Sequence, residues 1–289
     1  MLDKDQQGDV RSFDGVSIDV VSIVARAAKL SQTEVKRAME CGALWHAGQR
    51  GAQRFKPRRI RRKHIALSEG DELYFNFDSA FLAARAAAPA LVEDFERFSV
   101  WQKPAGVRVD GSKWGDHQSL RRMVELALGG RHTQIVHRLD QWTSGLVLLA
   151  HNKSTARELS ALFAEGRVCK RYRALVAGRL EQSLPYSIDV AIDKKPSRTH
   201  ILSQVPATRW LNAGSVDSPA APNEIFELEM QIDTGRTHQI RRHLATIGLA
   251  VVGDRRYGSG AVQDAPVDLQ LQAVELGLQL GGEDYYWRL

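Results

Sequence analysis

One aspartate in this 289-residue chain stands where a reactive carboxylate would be held. In the run His137-Arg138-Leu139-Asp140-Gln141-Trp142-Thr143-Ser144-Gly145, Asp140 lies in a polar, glycine-bounded turn directly before the apolar stretch Leu146-Val147-Leu148-Leu149-Ala150. Catalytic groups are commonly carried on loops positioned by a rigid sheet. The residues also admit a plainer reading, in which Asp140 caps the backbone of the turn and Thr143-Ser144-Gly145 shapes the bend. Other reactive residue types lack a productive pattern. Cys41 and Cys169 are far apart and without metal-ligand spacing, so two reduced thiols are expected rather than a disulfide or a zinc site. His238 and His243 are not at metalloprotease spacing, and no His-Glu-x-x-His occurs. Gly258-Ser259-Gly260 lacks the Lys-Ser/Thr of a phosphate-binding loop.

Charge is the other chemical signal. The net charge is +6 and the isoelectric point about 9.4. Arg50, Arg54, Lys56, Arg58, Arg59, Arg61, Arg62 and Lys63 fall in one stretch, 49–64, without an acid among them. These eight charges exceed the whole excess, so the remainder of the chain is slightly acidic. A segment this dense suits a polyphosphate partner bound through counterion release. It equally suits a solvated loop kept extended by its own repulsion.

The elements that would carry these residues follow from periodicity. Residues 1–16 read as a loose polar tail. Val20, Val21, Ile23 and Val24 mark a helix face, and Ser31-Gln32-Thr33-Glu34 opens a second helix with a capping box, stopped at Gly42. Ala43-Leu44-Trp45 and Asp71-Glu72-Leu73-Tyr74-Phe75 read as a hairpin-like pair, which completes a small unit over 17–78. The alanine-rich stretch 79–90, broken at Pro89, reads as a linker or short helix. The region 91–289 alternates strand and helix signals. A helix with a capping box at Thr155 and Glu158 follows the Asp140 strand, with Gly166 as its stop. Val168–Val176 alternates with period two and puts Lys170, Tyr172 and Ala174 on one face. Glu224–Asp233 alternates likewise, and Ile240, Leu244 and Ile247 then line a helix stopped at Gly248. Residues 203–222 read as an inserted loop. No apolar stretch near the start suits a signal peptide or a membrane span, so a cytoplasmic protein without membrane partner is expected.

Four segments together resemble one family. His137-Arg138-Leu139-Asp140 with Thr143-Ser144-Gly145-Leu146 is similar to the His-Arg-Leu-Asp-x-x-Thr-Ser-Gly-Leu signature of the RluA-type pseudouridine synthases. Lys103-Pro104-Ala105-Gly106, Lys170-Arg171-Tyr172-Arg173-Ala174-Leu175-Val176 and Thr234-Gly235-Arg236-Thr237-His238-Gln239-Ile240-Arg241 resemble that family's other motifs, in order, as do His243-Leu244 and Gly253-Asp254 with Tyr257-Gly258. The segment 17–78 is similar, more weakly, to a small RNA-binding domain shared by a small-subunit ribosomal protein and several RNA-modifying enzymes. The resemblance implies an α+β protein: a catalytic domain with a mixed, mainly antiparallel sheet and a central cleft, plus a small α+β RNA-binding domain. It implies an isomerase that converts uridine to pseudouridine in structured ribosomal or transfer RNA after flipping the base. No metal or organic cofactor is implied, and a monomer is expected. Asp140 matches the catalytic aspartate, Tyr172 the tyrosine that packs on the target base, and Arg236 the basic residue paired with the carboxylate. Arg138 matches the arginine that takes the flipped base's place. Arg58, Arg59, Arg61, Arg62, Lys63, Lys170 and Arg241 are the further expected RNA contacts. Trp142, Gly248-Leu249-Ala250 and Trp101-Gln102 depart from the pattern, which bears on the RNA target more than on the chemistry. The alternative is a catalytically silent RNA-binding or ribosome-assembly factor of the same fold. A base-excising glycosylase is a further rival, although ordinary glycoside hydrolysis uses two carboxylates and these motifs supply one.

Overall fold

The computed structural model describes residues 16–50, 53–208, 211, 225–258, 260 and 267–289. The polar tail, up to residue 15, and most of the 203–222 loop lie outside the described residues. The chain divides into two units. One comprises the residues up to Ala86 together with Asp110–Arg122, and the other Ala87–Val109 with Met123–Leu289.

In the first unit the elements are β1 Val16–Asp19, α1 Val20–Ala28, α2 Gln32–Glu40, β2 Leu44–Ala47, β3 Gln49–Arg50, β4 Gln53–Arg54, β5 Arg58–Arg59, β6 His64–Leu67, β7 Glu72–Phe75 and α3 Ser79–Ala83. Asp19 caps α1 by accepting from the amides of Val21 and Ser22. Ser31 and Glu34 form the reciprocal capping box expected at the start of α2. Val20, Val21, Val24, Val35 and Met39 turn inward onto Leu44, Leu67, Leu73 and Phe75. Full burial of each such side chain contributes about 1.5–3 kcal/mol. β2 is the centre of a three-stranded sheet, flanked by β5 and β7, and β1 pairs with β6. The excursion 110–122 has no signal in the sequence. It is held by a hydrogen bond from the Asp116 amide to Cys41 O (2.9 Å), by the Trp45 indole N–H donating to Lys113 O (3.0 Å), and by the guanidinium of Arg59 donating to Ser112 O.

The second unit contains β8 Ala90–Asp94, β9 Phe98–Lys103, β10 Gln134–Ile135, β11 Ser144–Ala150, α5 Lys153–Ala164, β12 Cys169–Ala177, β13 Tyr186–Asp189, β14 Arg198–Pro206, β15 Ile225–Ile232, α6 Gln239–Thr246, β16 Leu271–Leu280 and β17 Glu283–Arg288; α4, Leu120–Ala127, carries the chain back into it. Its strands form a single sheet of order β13-β14-β15-β12-β16-β11-β9-β8, with β10 on β11 and β17 on β16. Every pairing is antiparallel except β11 with β16. This is the mixed, mainly antiparallel sheet of the expected α+β class. All seven residues of β11 are buried, and Leu146, Leu148 and Ala150 pack with Leu159 and Leu162 of α5. Ile240 and Leu244 of α6 pack on Ala174, Leu228 and Met230. On β15 the carboxylates of Glu227 and Glu229 point the other way, to Arg171 and Arg173 of β12.

Two local expectations change. Asn152, not Thr155, caps α5: its extended backbone lets its side chain accept from the Thr155 amide, so the helix begins one turn earlier. β14 runs through Pro206, so Ser203–Pro206 belongs to a strand paired with β15 and not to a loop.

Register then places the chemistry. Lys103, Gly145, Ala273, Tyr172 and Met230 lie in one row across β9, β11, β16, β12 and β15. At about 4.8 Å per strand, Tyr172 is roughly 10 Å from Gly145 along this row. Gly145 has φ +109°, and a Cβ there would meet Ala273 O at 2.1 Å. Only glycine lets the β11–β16 pairing form directly after the Asp140 turn.

Candidate active site

Asp140 leads into β11 from the turn. Its backbone carbonyl accepts from the Thr143 amide (3.2 Å), which closes the bend. Its carboxylate caps nothing: among the described residues neither oxygen receives a hydrogen bond, and the side chain is 27% exposed. Two cationic or cation-forming groups face it instead. Arg241 Nη1 lies 3.7 Å from Oδ2, and His238 Nε2 lies 3.8 Å from Oδ1. The turn reading therefore fails on the side chain, although the main chain does bend as that reading required.

Arg241 is anchored from behind. Its Nε and Nη2 donate to the two oxygens of Asp254, both at 2.7 Å, and Asp254 also accepts from the amides of Arg256 (3.0 Å) and Tyr257 (3.1 Å). Burial alone would lower the pKa of Arg241; the bonds to Asp254 and the charge of Asp140 outweigh it and raise the value. A bidentate pair fixes the guanidinium plane, so Nη1 is presented to Asp140 in one orientation.

Lys103 is the hidden cation of the site. It is 0% exposed, and Nζ donates to Pro104 O (3.0 Å), Val107 O (2.7 Å) and Gln141 O (3.0 Å). Three carbonyls match the three N–H bonds of an ammonium. Burial pulls its pKa down to about 7, against the opposing charge of Asp140. Lys103 thus ties the Lys-Pro-Ala-Gly turn to the residue after Asp140. Gln141 completes the tie by donating to Gly106 O (3.1 Å). Trp142 lies across the same turn: a Cβ on Gly106 would meet its ring at 3.2 Å, and the indole is 44% exposed.

Tyr172 is half-buried against the core beneath the sheet. Burial first, and the charge of Asp140 second, push its phenol upward, so it stays un-ionised. His137 has a structural role. Its Nε2 accepts from the Leu148 amide (2.9 Å) and its ring stacks on Phe163 at 4.2 Å. Burial and then the charge of Lys170 push its pKa down to about 3, which keeps it a neutral acceptor.

The structure places several of the expected site residues differently. The arginine beside the carboxylate is Arg241, and the expected pairing with Arg236 is not made. Arg236 precedes α6, and its Nε donates to Pro196 O (3.2 Å). Gln239 holds that loop: its Oε1 accepts from Thr234 Oγ1 (2.6 Å) and the Arg236 amide (3.1 Å), and its Nε2 donates to Arg198 O (2.8 Å). His238 precedes α6 in a left-handed conformation and Arg241 lies in the helix's first turn, and both side chains face the same carboxylate. No periodicity in the sequence marks this pairing, because a left-handed backbone at His238 sets it. Lys170 is buried, and burial lowers its pKa. Arg138 is exposed and, among the described residues, has no partner; buried Leu139 separates it from Asp140.

The basic stretch also divides. Arg59 stacks on Trp45 (4.1 Å) and donates to Gly42 O (2.9 Å), Arg61 pairs with Asp116, Lys63 with Asp19 (3.0 Å) and Arg54 with Glu72 (2.9 Å). Lys56, Arg58 and Arg62 are exposed and, among the described residues, their side chains have no partner.

Comparison with known proteins agrees with the fold and the motifs. The human protein named RNA pseudouridylate synthase domain containing 1 superposes with a TM-score of 0.57 at 26% identity, over 71% of this chain and 85% of that one. The fold is that of a pseudouridine synthase domain, an RNA-modifying isomerase. The signature described as RNA pseudouridylate synthase matches residues 97–246, and the chain belongs to that family, in its RluA-type branch. A tRNA pseudouridine synthase C of Vibrio parahaemolyticus is 32% identical over 186 residues, 59% of this chain and 74% of that protein. An uncharacterized RNA pseudouridine synthase of Helicobacter pylori is 32% identical over 187 residues, 63% of this chain and 62% of that protein. The protein is accordingly an isomerase that converts uridine to pseudouridine in RNA. Among the described residues no helix is long and apolar enough to cross a membrane, and no cluster of metal-ligating side chains occurs.

Proposed function

We propose that the protein everts a uridine from a structured transfer or ribosomal RNA and isomerises it with Asp140 as the catalytic carboxylate, Arg241 as its orienting cation and Tyr172 as the surface for the flipped base. The observation that carries this is the bare carboxylate of Asp140, free of hydrogen bonds among the described residues and faced by an arginine fixed on Asp254. A cationic neighbour favours the ionised carboxylate. That form is needed whether Asp140 attacks C1′ or removes a proton from C2′. Breaking N1–C1′, turning the uracil and joining C5 to C1′ requires no water.

Eversion costs a few kcal/mol of stacking and pairing. Exposed, unpartnered Arg138 is available to fill the gap. The Tyr172 ring offers a stacking face worth about 1–3 kcal/mol. The name of the Vibrio parahaemolyticus relative favours a transfer RNA. We assign the first unit to RNA binding through Lys56, Arg58 and Arg62. A catalytically silent factor is not favoured, because the curated relatives are named as synthases and Asp140, Tyr172 and Arg241 are all present.

The test is tritium release from RNA labelled at uridine C5. Wild type should release tritium and leave RNA of unchanged mass. Asp140→Asn should bind RNA but form no product. Turnover by that variant near the wild-type rate would sink the assignment, and free uracil would turn it toward a glycosylase.

A further inference from the structure

The isomerisation includes a proton step at the base as well as the chemistry at the sugar. Once C5 is joined to C1′, C5 still carries its hydrogen. The uracil ring is restored only when that proton leaves and N1 gains one. A base at the site takes the C5 proton.

The neighbours of Asp140 can be taken in turn. Arg241 is a permanent cation with no acceptor. Lys103 has all three donors on carbonyls and sits 0% exposed beneath the turn. Tyr172 is held un-ionised by burial and by the carboxylate itself. His238 differs from all three. Its ring Nδ1 lies 2.9 Å from Tyr257 Oη, and its Nε2 is directed at Asp140 Oδ1, 3.8 Å away and beyond hydrogen-bond length. Its backbone is unusual as well: φ is +55° and ψ +29°, at the residue that precedes α6. That left-handed turn aims the ring at the carboxylate. Tyr257 is itself placed, because its amide donates to Asp254, the same carboxylate that holds Arg241.

We infer that His238 is the base that removes the C5 proton, a role that rests on Asp140 being the carboxylate that acts at the sugar. In the tautomer whose Nδ1–H donates to Tyr257 Oη, Nε2 carries the lone pair. Nε2 takes the proton as the C5–H electron pair forms the C5–C6 double bond. The C6–N1 π pair moves onto N1, which takes a proton from water, and the imidazolium returns its own to solvent. Burial lowers the pKa of His238 below its ordinary value of 6.5, so the ring is neutral and ready at neutral pH. The negative charge of Asp140 and, more distantly, of Asp254 favours the imidazolium once it forms, and Arg241 and Arg256 oppose it.

The test compares wild type, His238→Asn and Tyr257→Phe on RNA whose target uridine carries hydrogen or deuterium at C5. Asparagine tolerates the left-handed backbone but accepts no proton through a ring nitrogen. His238→Asn should keep its RNA affinity, lose about 10²–10³-fold in kcat, and show a larger C5 deuterium isotope effect than wild type. Tyr257→Phe, which frees the tautomer, should show the same isotope effect with a smaller rate loss. The wild-type rate should fall as pH drops through a value below 6.5, a limb absent from His238→Asn. A variant within about threefold of wild-type kcat would overturn the inference, since a lost general base costs far more. So would a rate loss without the isotope effect, or a loss of RNA affinity in its place. Each of these leaves Asp140 standing; a wild-type protein without synthase activity overturns both.

Discussion

Two regions rich in cations, the basic stretch of the first unit and the turn around Asp140, are alike in composition and differ in what their charges do. In the stretch, Arg54, Arg59, Arg61 and Lys63 are engaged by their own unit, and Lys56, Arg58 and Arg62 are left to solvent. At the turn, Lys103 and Arg241 are both buried, and each is matched to several acceptors. A buried cation in a low-dielectric setting acts on one neighbour strongly, whereas an exposed one is screened within about 8–10 Å. Cations that build a site are thus the ones least available to RNA. A count of lysine and arginine in the sequence cannot separate the two kinds.

The sharpest way to break this comparison is to remove the two arginines of one motif in turn. Arg241→Ala should lower kcat by about 10²–10³-fold, the usual loss when a fixed electrostatic group is removed from a reacting centre. Arg236→Ala, which loses one hydrogen bond to Pro196 O, should stay within a few-fold of wild type. Equal losses in single-turnover assays would return Arg236 to the site. Next in size is the division of the basic stretch. Arg59→Ala removes a half-buried cation from Trp45, Gly42 O and Ser112 O, and should destabilise the first unit by about 2–4 kcal/mol. Lys56, Arg58 and Arg62 changed together to serine should leave the melting temperature nearly unchanged. They should instead flatten the plot of log affinity against log salt by about 2–3 units, near one per lost phosphate contact. An unchanged slope would show that this face does not meet RNA. The smallest effect is expected at Trp142. Its exposed ring beside the Asp140 turn should stack on RNA, so Trp142→Ala should weaken binding by about 1–3 kcal/mol with kcat preserved. A fall in thermal stability with unchanged affinity would make it a packing residue over Gly106.

Much of the molecule was legible before any coordinates. The capping box at Ser31 and Glu34 and the alternation along 225–232 are local: neighbours in sequence supply both partners, so pattern and outcome coincide. Asp140 and Tyr172 stand out through motif resemblance, and their positions follow from a turn and a period-two strand. Asn152 takes the place of Thr155 as the cap of α5 because its extended backbone, which residue type alone does not set, lets its side chain accept from the Thr155 amide.

What the sequence determined by itself was the family motifs and the elements that carry them, because those depend on residue type and short-range periodicity. The tertiary structure decided which charges meet. It chose Arg241 over Arg236 by where α6 begins, placed Lys103 level with Tyr172 by strand register, and folded 110–122 onto the first unit. These are contacts between residues tens of positions apart. Electrostatic coupling falls off over a few ångströms of space and takes no account of separation along the chain.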